Sequence, residues 1–183
     1  MQIYKKRSAR EYVMYSAIIA AGIFLDQLTK FLVAKFMTIG QSIPLIKGFL
    51  HITYTTNDGA AFGAMDNARW LFISVSTITI LLMCAYLYLG HADKPLYSVS
   101  ISMIVSGGIG NMIDRFGLGF YRNPSGVGEV IDFIDFCGIW NAIFNGADSF
   151  VCVGAGLLVL AMVLDIIDES KNGKKGKGNA DNG

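Results

Sequence analysis

The chain has 183 residues, of which 53% are hydrophobic and only 16% charged, whereas a water-soluble domain carries nearer a quarter charged residues. A net charge of +1, with no basic face interleaved with aromatics, argues against nucleic acid as a partner. Three cysteines (Cys84, Cys137, Cys152) without CxxC spacing and two histidines (His51, His91) are poor material for a metal centre, so neither metal nor cofactor is expected.

Residues 1–12 carry Lys5, Lys6, Arg7 and Arg10, and residues 13–36 are apolar except for Asp26, Lys30 and Lys35. A basic start before an apolar run is the pattern of a secretory signal. This run is long, holds charges and lacks a small-x-small cleavage site, so it reads as an uncleaved first membrane helix. Asp26 and Lys30 are four apart and share a helix face. Ions in lipid are expensive, by roughly 2.5–3.5 kcal/mol each on insertion scales. A mutual ion pair and a part in ordering a site at the helix end are both open readings.

Residues 37–69 form a mixed region. FLHITYT over 49–55 is β-branched, aromatic and partly alternating, which reads as strand. Asn57, Asp58 and Gly59 signal a turn, and a short helix is expected over 60–65. Residues 70–89 hold no charge and suffice to cross a bilayer core about 30 Å thick. Residues 90–95 are a short polar turn, and 96–113 form the third apolar segment. Its Gly107-Gly108-Ile109-Gly110 run has no strand before it and no GK[ST] after it, so close helix packing fits better than a phosphate loop. Asn111, Asp114 and Arg115 fall within five positions at the end of that segment and read as a polar network rather than a headgroup anchor.

Residues 116–129 (FGLGFYRNPSGVGE) read as an exposed loop. Asp132 follows in a short alternating run, EVIDFID over 129–135, taken as loop just outside the last span. That span covers 150–167, with Asp165 near its far end and Asp148 at its mouth. Residues 169–183 are polar and low in complexity, and disorder is expected there. Four spans put both termini on one side. The basic residues before the first span, with Lys171, Lys174, Lys175 and Lys177 after the last, place that side in the cytoplasm. The longer loops, 37–69 and 114–149, then face outward and carry Asn57, Asp114, Arg115, Asp132 and Asp148 with them.

Asp148 could be an acid at a helix N-terminus, where the dipole favours an anion by about 0.3–1 kcal/mol, with Asn145 or Ser149 as alternative caps. It could instead be half of a catalytic pair with Asp132. Two carboxyls a few ångström apart do not both ionise easily, so one retains a proton. The ionised partner can draw a proton from a water held between them, and that water attacks a peptide carbonyl. A small transporter with intramembrane acids, or a passive membrane scaffold, are readings of other classes. The absence of a visible internal repeat disfavours the first.

Five motifs carry a resemblance: FLDQLTK over 24–30, TNDGAAFG over 56–63, GNMIDR over 110–115, EVIDFID over 129–135 and FNGADS over 144–149. In that order, and up to about Asp168, the chain resembles the lipoprotein signal peptidase (signal peptidase II) family. The resemblance implies an all-α bundle of four transmembrane helices with a small extracytoplasmic β-cradle. The implied activity is that of a metal-free aspartyl endopeptidase in the bacterial cytoplasmic membrane, with its active site at the extracytoplasmic face. It would cut diacylglyceryl-modified prolipoproteins before the lipidated cysteine, act as a monomer among membrane lipid, and be a target of globomycin-type inhibitors. The family's catalytic aspartates fall on Asp132 and Asp148, and Asp135 lies outside the matching position. Supporting and substrate-binding residues fall on Asp26, Lys30, Asn57, Gly59, Asn111, Asp114, Arg115 and Asn145. The gap between Arg115 and Val130 is longer than the family's usual one, and that from Asp132 to Asp148 slightly shorter.

Overall fold

The computed structural model of the chain describes residues 8–57, 68–89 and 94–180. The element order is α1 (Ala9–Phe36), β1 (Ser42–Ile46), β2 (Leu50–Asn57), α2 (Ala68–Tyr88), α3 (Pro95–Arg115), β3 (Val130–Asp135), β4 (Ile143–Phe144) and α4 (Gly146–Ala180). The turn at Asp58 and Gly59, the expected helix over 60–65, and residues 90–93 with His91 lie outside the described residues.

Local signals explain where the helices begin. α1 starts at Ala9, earlier than hydropathy alone suggests, because Ser8 and Glu11 form a reciprocal capping box that satisfies two otherwise orphaned N–H groups. Pro95 occupies the first turn of α3, where its missing N–H costs nothing. α4 starts at Gly146, four residues before the apolar run. With no proline to break it, its backbone stays helical to Ala180, where the sequence reading expects disorder from 169.

Among the described residues, three helices are long and apolar enough to cross a membrane by length and composition: Ala9–Phe36, Pro95–Arg115 and Gly146–Lys171. Four were expected. The fourth candidate, in α2, is represented by the shorter apolar helix Ile73–Tyr88. Burial in the bundle is inverted relative to a water-soluble protein. Phe24, Trp70, Leu81, Leu82 and Val159 are exposed, while Asp26, Lys30, Ser98, Ser100, Ser102 and Ser106 are buried. Such an arrangement suits lipid outside and hydrogen-bonding groups within.

α3 is the central helix and packs against α1, α2 and α4. Its buried serines satisfy their hydroxyls on their own helix, Ser100 donating to Leu96 O and Ser102 to Ser98 O, both at 2.7 Å. The Gly107–Gly110 run does what close packing requires. A Cβ on Gly107 would strike the Ala147 carbonyl oxygen, and one on Gly110 would strike the Asp26 carboxylate. At the other end of the bundle Lys94 pairs with Asp165, which also accepts from the Tyr97 hydroxyl at 3.0 Å.

The sheet is antiparallel with order β1-β2-β3-β4. Its second strand matches the expected one. The run carrying Asp132, expected as loop, is instead the inner strand β3. It is buried over Val130–Phe133, and only its last two residues, Ile134 and Asp135, are partly exposed. Val33 near the end of α1 packs with Tyr54, Ile131 and Phe133 in one apolar cluster, which fixes the sheet under the bundle. The 116–129 segment folds back on itself through an Arg122–Gly128 bridge. Asn123 Oδ1 there accepts from the backbone N–H groups of Ser125 and Val127.

Candidate active site

Five elements meet at the site: the C-terminal turns of α1 and α3, the end of strand β2 at Asn57, strand β3, and the first turn of α4. Asn145 immediately precedes α4, and its side-chain oxygen accepts from Asp148 N at 2.9 Å. Asp148 Oδ2 reaches back to Asn145 N at 3.2 Å. This is a capping box built from Asn and Asp, so Asp148 is held in the first turn by the helix's own N-terminus. Asp26 Oδ1 accepts from Ala147 N at 2.8 Å, satisfying another of that turn's orphan donors across the helix interface.

Asp26 has a second task. Its Oδ2 pairs with Lys30 Nζ at 2.8 Å, and Asp114 Oδ2 lies 2.6 Å from the same nitrogen. Lys30 is 0% exposed and completes its shell by donating to Asn111 Oδ1 at 2.9 Å. A buried ammonium is tolerated only when paired and fully hydrogen-bonded, and three oxygens from α1 and α3 meet that need. The ion pair and the site-ordering role left open by the sequence are therefore the same structure.

Asn111 passes this order on to the aspartates. Its Nδ2 donates to Asp148 Oδ1 at 2.9 Å, and its Oδ1 also accepts from Asn145 Nδ2 at 3.1 Å. Asn145 Nδ2 in turn donates to Asp132 Oδ1 at 2.6 Å, and Asn57 Nδ2 to Asp132 Oδ2 at 3.2 Å. Asp132 and Asp148 thus share one network through Asn145 and Asn111. Asp132 is only 3% exposed, while Asp148 is half-buried. Burial first, and then the Asp148 charge, push the Asp132 carboxyl up to about 6, against the pull of the Asn145 and Asn57 amides.

Of the sequence-nominated residues, Asp26, Lys30, Asn57, Asn111, Asp114, Asn145, Asp132 and Asp148 come together. Arg115 closes α3 and is half-buried, and Gly59 lies outside the described residues. Asp135 stays out of the network, at the far end of β3 from Val130. Gln27 escaped notice although it stands inside the first motif. Its Nε2 donates to Asp26 Oδ2, the Gly110 carbonyl and Asp114 Oδ1 at 3.1–3.2 Å, bracing both of the carboxylates that hold Lys30. An amide in an apolar span was the available signal.

Fold and site together define a helical membrane protein whose polar centre, an aspartate pair braced by amides and one buried ammonium, lies where three helices end on a small sheet. The sequence model described as signal peptidase (SPase) II matches residues 18–164, and the chain belongs to the signal peptidase II family, a family of peptidases. The lipoprotein signal peptidase of Brevibacillus brevis is 40% identical over 155 residues, covering 84% of this chain and 95% of that protein. That of Caldanaerobacter subterraneus is 42% identical over 150 residues, covering 82% and 96%. Two solved structures described as a bacterial membrane enzyme obtained by the in meso method are similar. The one at 2.3 Å resolution has a TM-score of 0.71 and 30% identity, covering 90% of this chain and 94% of its own. The one at 1.9 Å has a TM-score of 0.73 and 31% identity, covering 88% and 97%.

Proposed function

We propose that this chain is an aspartic endopeptidase that removes the signal peptide from diacylglyceryl-modified prolipoproteins, cutting before the lipidated cysteine, with Asp132 and Asp148 as its catalytic residues. The observation that carries this reading is the Asn145 bridge. Two carboxyls sixteen positions apart are tied to one amide residue, and one of them is driven toward its protonated form. The named relatives act in the same sense, since those compared are lipoprotein signal peptidases.

In this reading Asp132 holds the proton of the pair. Asp148, half-buried and fixed by Asn111 and the α4 N-terminus, takes a proton from a water placed between the two. The hydroxide equivalent attacks the scissile carbonyl as Asp132 donates a hydrogen bond to the developing oxyanion. Collapse of the tetrahedral intermediate breaks the C–N bond. Asp148 returns its proton to the departing amine of the modified cysteine. Neither metal nor covalent intermediate is required.

The address suits such a substrate. With four spans, both termini cytoplasmic and the sheet outside, the site lies at the extracytoplasmic interface of the bacterial inner membrane. The acyl chains can stay in lipid while the peptide bond meets water. The protein acts as a monomer, with residues 1–168 as the peptidase unit and the polar tail in the cytoplasm; the dyad also provides the seat for globomycin-type inhibitors. The test is mass spectrometry of a lipidated precursor incubated with purified wild type, Asp132→Asn and Asp148→Asn. Both variants should leave the precursor intact, and near-normal turnover by either removes it from the mechanism.

A further inference from the structure

A second cluster lies on the sheet, apart from the aspartate pair. His51 and Asp135 are cross-strand partners in β2 and β3, and Cys137 follows Asp135 by two residues. One donor atom from each of the three lies within 4.8 Å of the other two. All three residues are half-buried, and the Cys137 thiol contacts the Asp135 carboxyl. The sequence offered poor metal-binding spacing because the donors come from two strands and the turn after one of them, and the register that joins them includes a bulge between Ile52 and Thr55.

The hydrogen bonds around His51 fix which ring nitrogen is bare. Thr53 Oγ1 gives its hydrogen to Asp135 Oδ2 at 2.7 Å. Having spent its one hydrogen there, Thr53 can only accept from Ser42 Oγ, 2.8 Å away. Ser42 has then spent its own, so across the 3.2 Å contact with His51 Nδ1 it is the ring that donates. With hydrogen on Nδ1, the neutral imidazole presents a lone pair at Nε2. Nε2 is buried and has no hydrogen-bond partner among the described residues. A buried acceptor with nothing to accept is costly, and the thiol and carboxylate that cluster with the His51 ring are themselves ligands for a cation.

We propose that His51, Asp135 and Cys137 form a binding site for a divalent transition-metal ion of the zinc type. Histidine nitrogen, carboxylate oxygen and thiolate sulfur suit this borderline-soft ion, which takes them at roughly 2.0–2.3 Å in tetrahedral geometry, with ligand atoms about 3.4–3.8 Å apart. The donor atoms, already within 4.8 Å of one another, would have to close to that spacing on binding, with water as the fourth ligand. The surrounding shell is in place. A ligating histidine donates its other N–H to a neighbouring oxygen, and a ligating carboxylate is itself hydrogen-bonded; Ser42 and Thr53 do both. Binding breaks the Cys137 S–H bond, forms a metal–sulfur bond and releases one proton to solvent. The ion would clasp β2, β3 and the turn that follows β3. The site does not depend on the role proposed for Asp132 and Asp148.

The test uses the full chain in detergent, stripped with a chelator and titrated with Co²⁺ and then Zn²⁺. Wild type should bind one ion per chain, show a thiolate-to-cobalt charge-transfer band that Zn²⁺ abolishes, and melt at a higher temperature with Zn²⁺ than without. His51→Gln and Cys137→Ser should lose the band and the melting shift, whereas a Cys84→Ala/Cys152→Ala double variant should keep both. Ser42→Ala, which retains all three ligands but breaks the relay to Nδ1, should bind roughly 10–100-fold more weakly. No band in wild type, or a band that survives His51→Gln, overturns the proposal.

Discussion

Asn145 Nδ2 lies 2.6 Å from Asp132 Oδ1 while the Asn145 backbone N–H sits 3.2 Å from Asp148 Oδ2. One residue therefore sets the separation of two carboxyls carried by different elements, and it does so from the cap of the helix that bears one of them. Asn145→Ala should lose about 1 kcal/mol as the α4 cap is removed. It also deletes the hydrogen bond to the protonated Asp132 carboxyl, worth roughly 0.5–1.5 kcal/mol. Precursor cleavage should fall about 10–100-fold, read from steady-state rates beside thermal melts. Asn145→Asp keeps the cap but sets a third carboxyl beside Asp132, so its residual activity should shift to higher pH.

The raised Asp132 carboxyl gives pH dependence a definite sign. A folded value of about 6 against an ordinary 3.8 means that the folded protein binds more protons between those limits than the unfolded chain. The contribution of Asp132 to stability is therefore fully present below about pH 4 and is lost as pH rises through about 6, about 3 kcal/mol in all. Detergent melts of wild type should show that decline, and Asp132→Asn should flatten it. If Asp132 supplies the proton of the pair, kcat/KM should likewise fall about tenfold per pH unit above pH 6. A flat profile from pH 6 to 8 would rule that assignment out.

Three of the four expected spans were legible because hydropathy needs only composition and length, and Asp148 stood out because it lies just before an apolar run, in what is the first turn of α4. Asn145 was visible as one cap among alternatives. The strand bearing Asp132 was not, although EVIDFID alternates, because so short a run with acids in it does not fix a strand without its pairing partners, which lie on β2 and β4. Gln27 was hidden by its neighbour: Asp26 drew the argument, while the amide's three acceptors come from α1 and α3 together. His51 meets Asp135 only through a bulged register, and local sequence does not encode such pairings.

Lys30 should prove harder to remove alone than with a partner. Lys30→Met strands Asp26 and Asp114 in the bundle interior, and breaking a buried pair costs roughly 3–5 kcal/mol. Changing Asp114 to Asn in the same chain removes one of the stranded charges and should recover much of that loss. Urea or thermal unfolding of the single and double variants measures the coupling. Equal destabilisation by both would mean that Asp114 is not held by Lys30.

The glycine at position 110 tests whether helix packing and site geometry are one thing. A methyl there would run into the Asp26 carboxylate, which is held between Lys30 and Ala147 N. Either α3 moves away from α1 or Asp26 turns and releases the first turn of α4, and Asp148 shifts with that turn. Gly110→Ala should therefore cost about 1–3 kcal/mol as overpacking and reduce cleavage, although residue 110 itself bears no reacting group. Gly156 is the control. It too lies in a helix, but nothing stands within 4 Å of its added Cβ. Gly156→Ala should be neutral or gain roughly 0.5–1 kcal/mol from helix propensity, with cleavage unchanged. Matched melts and precursor assays on the two variants separate the outcomes: if Gly110→Ala behaves like Gly156→Ala, the contact between α3 and Asp26 does not hold the site in place.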